Sequence, residues 1–462
     1  MNLTTPVIAG FYPDPSICRV GEDYYLATSS FEYFPGVPLF HSRDLLHWEQ
    51  LGNVLDRPSQ LAPGLSGASG GIYAPTLRHH DGRFWLITTN VSQAKGQLIV
   101  TAEDPRGPWT DPVFVEGAAG IDPDLAWDLD GRCYVTWTTS GGIWQVEVDP
   151  SDGTLREEPR PMWSGTGLAW PEAPHLYHRD GWWYLVIAEG GTERGHSVSV
   201  ARSRSITGPF EGAPYNPVFS HRSTTQPVQN VGHTDLVELP DGTWAAVFLG
   251  TRPRGTTPLF HVNGRETFLA GIEWVDGWPT YDETRYTVPP ADHSFTDDLR
   301  TPHPRWVSPD ADPNALIDRT GGTAHLNPSG LLTTRVRDEA WSFTATVEPS
   351  DFRLVLRLDD RHWCSLDLSG RRVTARLRIG PLEQELGSAE VDGAISLRIA
   401  TTAATFGGPD DIVLSLGSGQ VLASFDGRYL STEVAGGFTG RMLGLQALTA
   451  PTPIHEVAYT TS

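Results

Sequence analysis

The chain has 462 residues and carries 56 acidic against 34 basic side chains, a formal charge of −22. A field of that sign repels nucleic acid, and no apolar run approaches the length that spans a membrane. With 39% hydrophobic residues, 48 Gly and 37 Pro, the composition fits turn-dense β structure, and the length fits two domains.

From the N-terminus, Met1-Asn2-Leu3-Thr4-Thr5-Pro6 has no basic stretch followed by an apolar core, so no secretory leader is read there. Cys18, Cys133 and Cys364 are odd in number and lack metal-ligand spacing. Both readings point to a cytoplasmic protein with reduced, buried thiols. One pattern then recurs through residues 1–290: an Asp-Gly turn followed by an aromatic-rich strand. The copies are Asp81-Gly82-Arg83-Phe84-Trp85, Asp130-Gly131-Arg132-Cys133-Tyr134, Asp180-Gly181-Trp182-Trp183-Tyr184 and Asp241-Gly242-Thr243-Trp244. A degenerate first copy is Gly21-Glu22-Asp23-Tyr24-Tyr25. Sets of short strands repeating roughly every 50–60 residues predict a five-bladed β-propeller with one blade per copy. Eight residues before the Asp of the four regular copies stand Tyr73, Asp122, Glu172 and His233, and Asp14 has nearly the same phase before the first copy. Equivalent positions on innermost strands face one axis, so these five side chains are expected in a single pocket.

Val288-Pro289-Pro290-Ala291-Asp292 reads as a linker, since consecutive prolines suit neither helix nor central strand. From His293 to Ser462 the texture changes to alternating segments such as 354–358, 373–379 and 395–399, the period-2 pattern of half-buried strands. This half is expected to be a β-sandwich. The predicted fold is therefore all-β: a propeller over 1–290 and a sandwich over 293–462.

Carboxylates grouped in an aromatic-walled pocket suit cleavage of a glycosidic bond, one acid protonating the leaving oxygen while a carboxylate works on the opposite face of the sugar. The competing reading makes Asp14 and Asp122 turn residues, because each precedes a proline; that does not account for their shared phase. Asp124 and Asp128 fall on the same strand face as Asp122, and Asp128 belongs with the following turn.

The segments Phe11-Tyr12-Pro13-Asp14-Pro15-Ser16-Ile17, Ile121-Asp122-Pro123-Asp124-Leu125 and Trp170-Pro171-Glu172-Ala173-Pro174-His175 closely resemble the three catalytic segments of glycoside hydrolase family 43. The resemblance extends over Phe31 to Val37, Gly71 to Pro75, Glu189 to Thr192, Gly250 to Pro253 and Gly264 to Thr267. In the second half it covers Asp426 to Glu433 and Gly436 to Gly440, similar to the sandwich of the β-xylosidase-like branch. It implies Asp14 as general base, Glu172 as general acid, and Asp122 as the carboxylate that orients the acid and raises its pKa. It also implies Arg252 as a substrate-binding arginine, Phe31 and Tyr73 as walls of the sugar subsite, and Thr192 as a substrate contact. His233 matches a histidine that holds water or a calcium ion; no cofactor is obligatory. Phe438, between glycines, is expected to reach across from the sandwich and contact Phe31 and Tyr73.

The implied activity is exo-acting, inverting release of terminal xylose from short β-1,4-xylo-oligosaccharides, with α-L-arabinofuranosidase as the alternative or second activity. A non-catalytic carbohydrate-binding propeller is a remoter alternative, and a fructan-cleaving propeller lacks support because Pro13, not Asn-Asp, opens the first segment. The expected partner is a small oligosaccharide, with neither nucleic acid nor membrane; assembly into a homo-oligomer is left open.

Overall fold

The computed structural model describes residues 5–402 and 408–461. Residues 1–4, most of the stretch inspected for a leader, lie outside them.

Five antiparallel sheets follow one another along residues 16–282. Their first strands are Ser16–Val20, Thr76–His80, Ile121–Trp127, Glu172–Arg179 and Gln229–Glu238. In each sheet the next strands add in chain order, the third sheet taking a fifth strand, Arg160–Trp163, beside Gly142–Asp149. The Asp-Gly signals sit where first strand turns into second. Asp81 and Gly82 both have positive φ (49° and 72°), as do Asp180 and Gly181 (52° and 72°), the backbone that a tight two-residue hairpin requires.

The first strands contact one another in order, and Gln229–Glu238 also contacts Ser16–Val20. One apolar cluster fills each gap between neighbouring sheets. Leu39 and Val54 meet Leu77 and Leu86; Ile87 and Ile99 meet Leu125 and Val135; Tyr134 and Ile143 meet Leu185 and Ile187. Val186 and Val198 meet Ala246 and Phe248, and Ile17 and Leu26 meet Val247 and Leu269. The aromatics placed after each turn thus pack between sheets. The ring is tied shut where Ile8 pairs with Thr267.

From Phe295 on, an eight-stranded and a six-stranded antiparallel sheet enclose a separate core. The segment 354–358, expected to be half-buried, falls in Phe352–Asp359 and is buried on both faces, Val355 and Arg357 as well as Leu354, Leu356 and Leu358. A smaller cluster of Phe11, Phe31, Tyr33, Val307 and Met442 joins the two halves. Beside it, Arg335 Nε donates to the Phe11 carbonyl (2.6 Å), and buried Arg254 and Arg441 share Asp410. Gly264 and Gly440 pass so closely that a Cβ on Gly440 would stand 2.3 Å from the Asn263 carbonyl oxygen. That approach brings the Gly436–Gly440 loop over the ring.

Candidate active site

At the head of the first strands the backbone departs from regular pairing. Asp14, Asp122 and His233 have φ of 56°, 53° and 47°, and Ala173, after Glu172, has 53°. Non-glycine residues avoid this region, and surrounding structure must hold them there. The ladder slips at the same places: between the partners of Ile121 and Asp124, between Glu172 and His175, and between Gly232 and Asp235. Such bulges re-aim side chains. They turn Asp122, Glu172 and His233 into one cavity with Asp14, also lined by Phe31, Tyr73, Thr192, Arg265 and Phe438.

Beneath it lies a buried polar layer supplied by the following strand positions. Arg78 donates to Asp124 (2.7 Å) and Asp235 (2.8 Å), Ser16 Oγ donates to Asp235 (2.6 Å), and Leu176 N donates to Asp124 (3.0 Å). This layer pins all five sheets together directly under the cavity. Asp124 belongs to it, whereas Asp128 accepts from the backbone of Asp130 and Arg132 in the turn.

The carboxylates stand in different fields. Burial pushes Asp14 up, but Arg265 at 2.8 Å, His233 at 3.5 Å and the Ser29 hydroxyl outweigh it. Its pKa is held below the ordinary 3.8, so Asp14 is a carboxylate ready to accept a proton. Asp122 is raised well above its ordinary value, by burial first and then by the charges of Glu172 and Asp14; the site resists holding all three as anions. Glu172 Oε1 faces His196 Nε2 at 3.7 Å. His196 Nδ1 donates to the Asn230 carbonyl (2.9 Å), which fixes the ring with Nε2 toward Glu172. Burial takes His233 down to about 4, so it is neutral near pH 7.

Arg252 is not in the cavity. Its guanidinium is bound through two bonds to Glu266 (2.6 and 2.8 Å) and donates to the Arg337 carbonyl of the second half. The cation of the site is Arg265, which reaches Asp14 and Thr192 Oγ1 (3.1 Å). Gly250 and Glu266 are paired in the ladder, so the two arginines stand at adjacent strand ends; sequence reasoning chose the one that braces rather than the one that faces inward. His196 was also missed, because a single histidine without repeat phase carries no signal.

The Asp14 oxygens beside His233 are engaged by Ser29 and by the Arg265 guanidinium, so a calcium ion there, with its six to eight oxygen ligands, would draw most of them from water. Among the described residues no three His, Cys, Asp or Glu side chains are grouped to hold a metal.

Phe31 and Tyr73 form one wall (ring centroids 5.1 Å apart). Phe438 closes over both, its centroid 5.8 Å from Phe31 and 5.9 Å from Tyr73, with its backbone N–H on Ser69 Oγ (2.9 Å). A larger chamber adjoins the cavity and shares Thr192, Arg265 and Phe438 with it. There Glu433 grips His261 (2.9 Å) across the boundary between the halves.

The chain matches the family model "Glycosyl hydrolases family 43" over residues 3–279 and "Beta xylosidase C-terminal Concanavalin A-like domain" over 298–459. It is 37% identical to the non-reducing end α-L-arabinofuranosidase BoGH43B of Bacteroides ovatus, over 96% of this chain and 90% of that protein. It is 50% identical to a xylosidase/arabinosidase of Butyrivibrio fibrisolvens over 59% of this chain, and the match spans 55% of that relative's length. Among solved structures, Bacteroides ovatus Xyloglucan PUL GH43B superposes with a TM-score of 0.91 at 32% identity, covering both chains entirely. A xylan β-1,4-xylosidase from Bacillus halodurans gives 0.89 at 29% identity, over 99% of this chain and 100% of that one.

Proposed function

Because the chain belongs to glycosyl hydrolase family 43, we propose that it is an exo-acting, inverting glycosidase that releases a terminal pentose from short oligosaccharides. Terminal xylose on β-1,4-xylo-oligosaccharides is the favoured substrate. Release of α-L-arabinofuranose is the second reading, favoured by the relative that matches across both halves of the chain and carries that name. The five sheets are the blades of a five-bladed propeller over 1–290 that carries the chemistry, and 293–462 is a sandwich that lends it Phe438. The observation that supports the reading most is the division of labour among three carboxylates in one cavity. Asp14 is kept anionic by Arg265, while Asp122 is kept from ionising by Glu172 and burial.

In the proposed reaction Asp14 takes a proton from a water as that water attacks the anomeric carbon. Glu172 gives its proton to the leaving oxygen from the opposite face. Asp122 orients Glu172. Phe31, Tyr73 and Phe438 pack on the sugar and exclude water; Thr192 and Arg265 supply hydrogen bonds to its hydroxyls. Arg252 braces Glu266, whose carboxylate also accepts from Gly10 N (2.7 Å), and so steadies the segment leading to Asp14.

A panel of nitrophenyl glycosides tests this: β-D-xylopyranoside and α-L-arabinofuranoside should be cleaved and galactopyranoside should not. With a β-xyloside, proton NMR should record α-xylose as the first product. A β-configured first product would sink the inverting mechanism, and turnover of neither pentoside would return the chain to a sugar-binding role.

The placement of Phe438 predicts a second result. Phe438→Ala should lower kcat/KM by about tenfold to a hundredfold, the loss of a large apolar contact of roughly 1–3 kcal/mol. Its thermal midpoint should stay close to wild type, because the side chain is partly exposed at a loop tip. Unchanged kcat/KM would mean that the sandwich loop does not touch bound sugar.

A further inference from the structure

Trp170 is a feature the reaction as described leaves unused. It is 70% exposed, and of the chain's 16 tryptophans no other among the described residues is an exposed one. Its backbone is also in the left-handed region, φ 53°, which bulky residues avoid. A large apolar ring is therefore held in water, on strained backbone, two residues before Glu172. Neither burial nor chain conformation accounts for that combination, and strain of this kind collects at ligand-binding positions.

The segment that carries it is rigid. Fully buried Glu189 accepts from both Thr166 N and Thr166 Oγ1 (2.8 Å each), and Gly190 N donates to the Ala169 carbonyl (2.6 Å). The indole rests on Gly191: a Cβ there would stand 3.3 Å from Trp170 Cδ1, and Gly191 has φ 75°, so glycine is required twice over. On either side of Gly191, Gly190 lines the outer chamber and Thr192 lines both chamber and inner cavity. The ring is thus fixed at the outer edge of the turn that bounds the site on the Glu172 side.

We propose that Trp170 is the platform for the sugar on the leaving-group side of the scissile bond. This rests on the glycosidase reading above. Glu172 protonates the leaving oxygen, so the sugar bonded to that oxygen must lie outward of Glu172, and the exposed indole two residues earlier is the apolar face assigned to it. A pyranose or furanose ring presents C–H groups on one face, and an exposed, preorganised aromatic matches that face while losing little entropy on binding. Trp170 is accordingly a specificity residue that favours oligosaccharides over simple glycosides.

The test compares leaving groups with and without a ring, using the full-length chain. β-D-xylosyl fluoride is set against xylotriose, and α-L-arabinofuranosyl fluoride against an arabino-oligosaccharide. Trp170→Ala should lower kcat/KM on the oligosaccharide by about tenfold, the size of one lost stacking contact, and leave the fluoride within about twofold. Trp170→Phe should recover part of the loss. Equal losses on fluoride and oligosaccharide would assign Trp170 to the placement of Glu172 and overturn the proposal, as would no loss on either. Wild-type protein that cleaves none of the four substrates overturns the glycosidase reading itself, whereas wild-type activity with an indifferent Trp170→Ala variant overturns only the platform.

Discussion

Glu172→Ala is expected to cut turnover of a poor leaving group, such as a second sugar, on the order of 10²–10⁴-fold. The loss should shrink steeply with a dinitrophenyl leaving group, which departs without a proton. Asp14→Ala should be slow by a similar factor with every leaving group, because water activation is needed whatever departs. The contrast follows from the fields at the two carboxyls. Asp14 is bound to Arg265 and Ser29 and held anionic. Glu172 instead shares the cavity with Asp122 and faces His196 Nε2 at 3.7 Å. Steady-state kinetics across a leaving-group series decides it: parallel responses from the two variants would mean that the roles are misassigned.

Arg265→Met should move the acidic limb of the kcat/KM profile to higher pH and destabilise the fold. Burial acts to raise Asp14, and Arg265 is the strongest of the groups that oppose it. Without the guanidinium the carboxyl takes up a proton at higher pH, and the base is lost sooner as the solution is acidified. The stability sign runs the same way. The folded pKa of Asp14 is below the unfolded 3.8, so the pair's stabilisation is present above that value and lost as pH falls through the folded one. Removing one partner of a buried pair costs roughly 3–5 kcal/mol. The variant should therefore lose most in denaturant unfolding near pH 7 and less once the pH is taken below 3.8. An acidic limb that stays in place would show that Arg265 does not govern Asp14.

What the sequence determined by itself were features set by near neighbours. Asp-Gly pairs dictate hairpins because few other residues accept positive φ at both turn positions. Alternation such as that of Trp341–Val347 dictates which side of a strand is buried. Repetition added the one long-range inference: when one hairpin signal recurs through the chain, equal phase before it means equal place, so Asp14, Tyr73, Asp122, Glu172 and His233 were legible as neighbours although the chain separates them widely. Residues outside the repeat phase were not. Arg252 and Arg265 stand at adjacent strand ends, and only the packing of Arg252 against Glu266 and the second half decides which cation faces Asp14. His196 reaches Glu172 from the residue just before the strand Ser197–Ser203, held by the Asn230 carbonyl, a contact that no local propensity encodes. The bulges that aim Asp122, Glu172 and His233 inward are strained and persist because Arg78 and its partners fix the strands below them. Phe438 depends on the docking of two separately cored halves, down to the approach of Gly264 and Gly440. Such contacts arise from complementary shape between distant surfaces, and only the tertiary structure decides them.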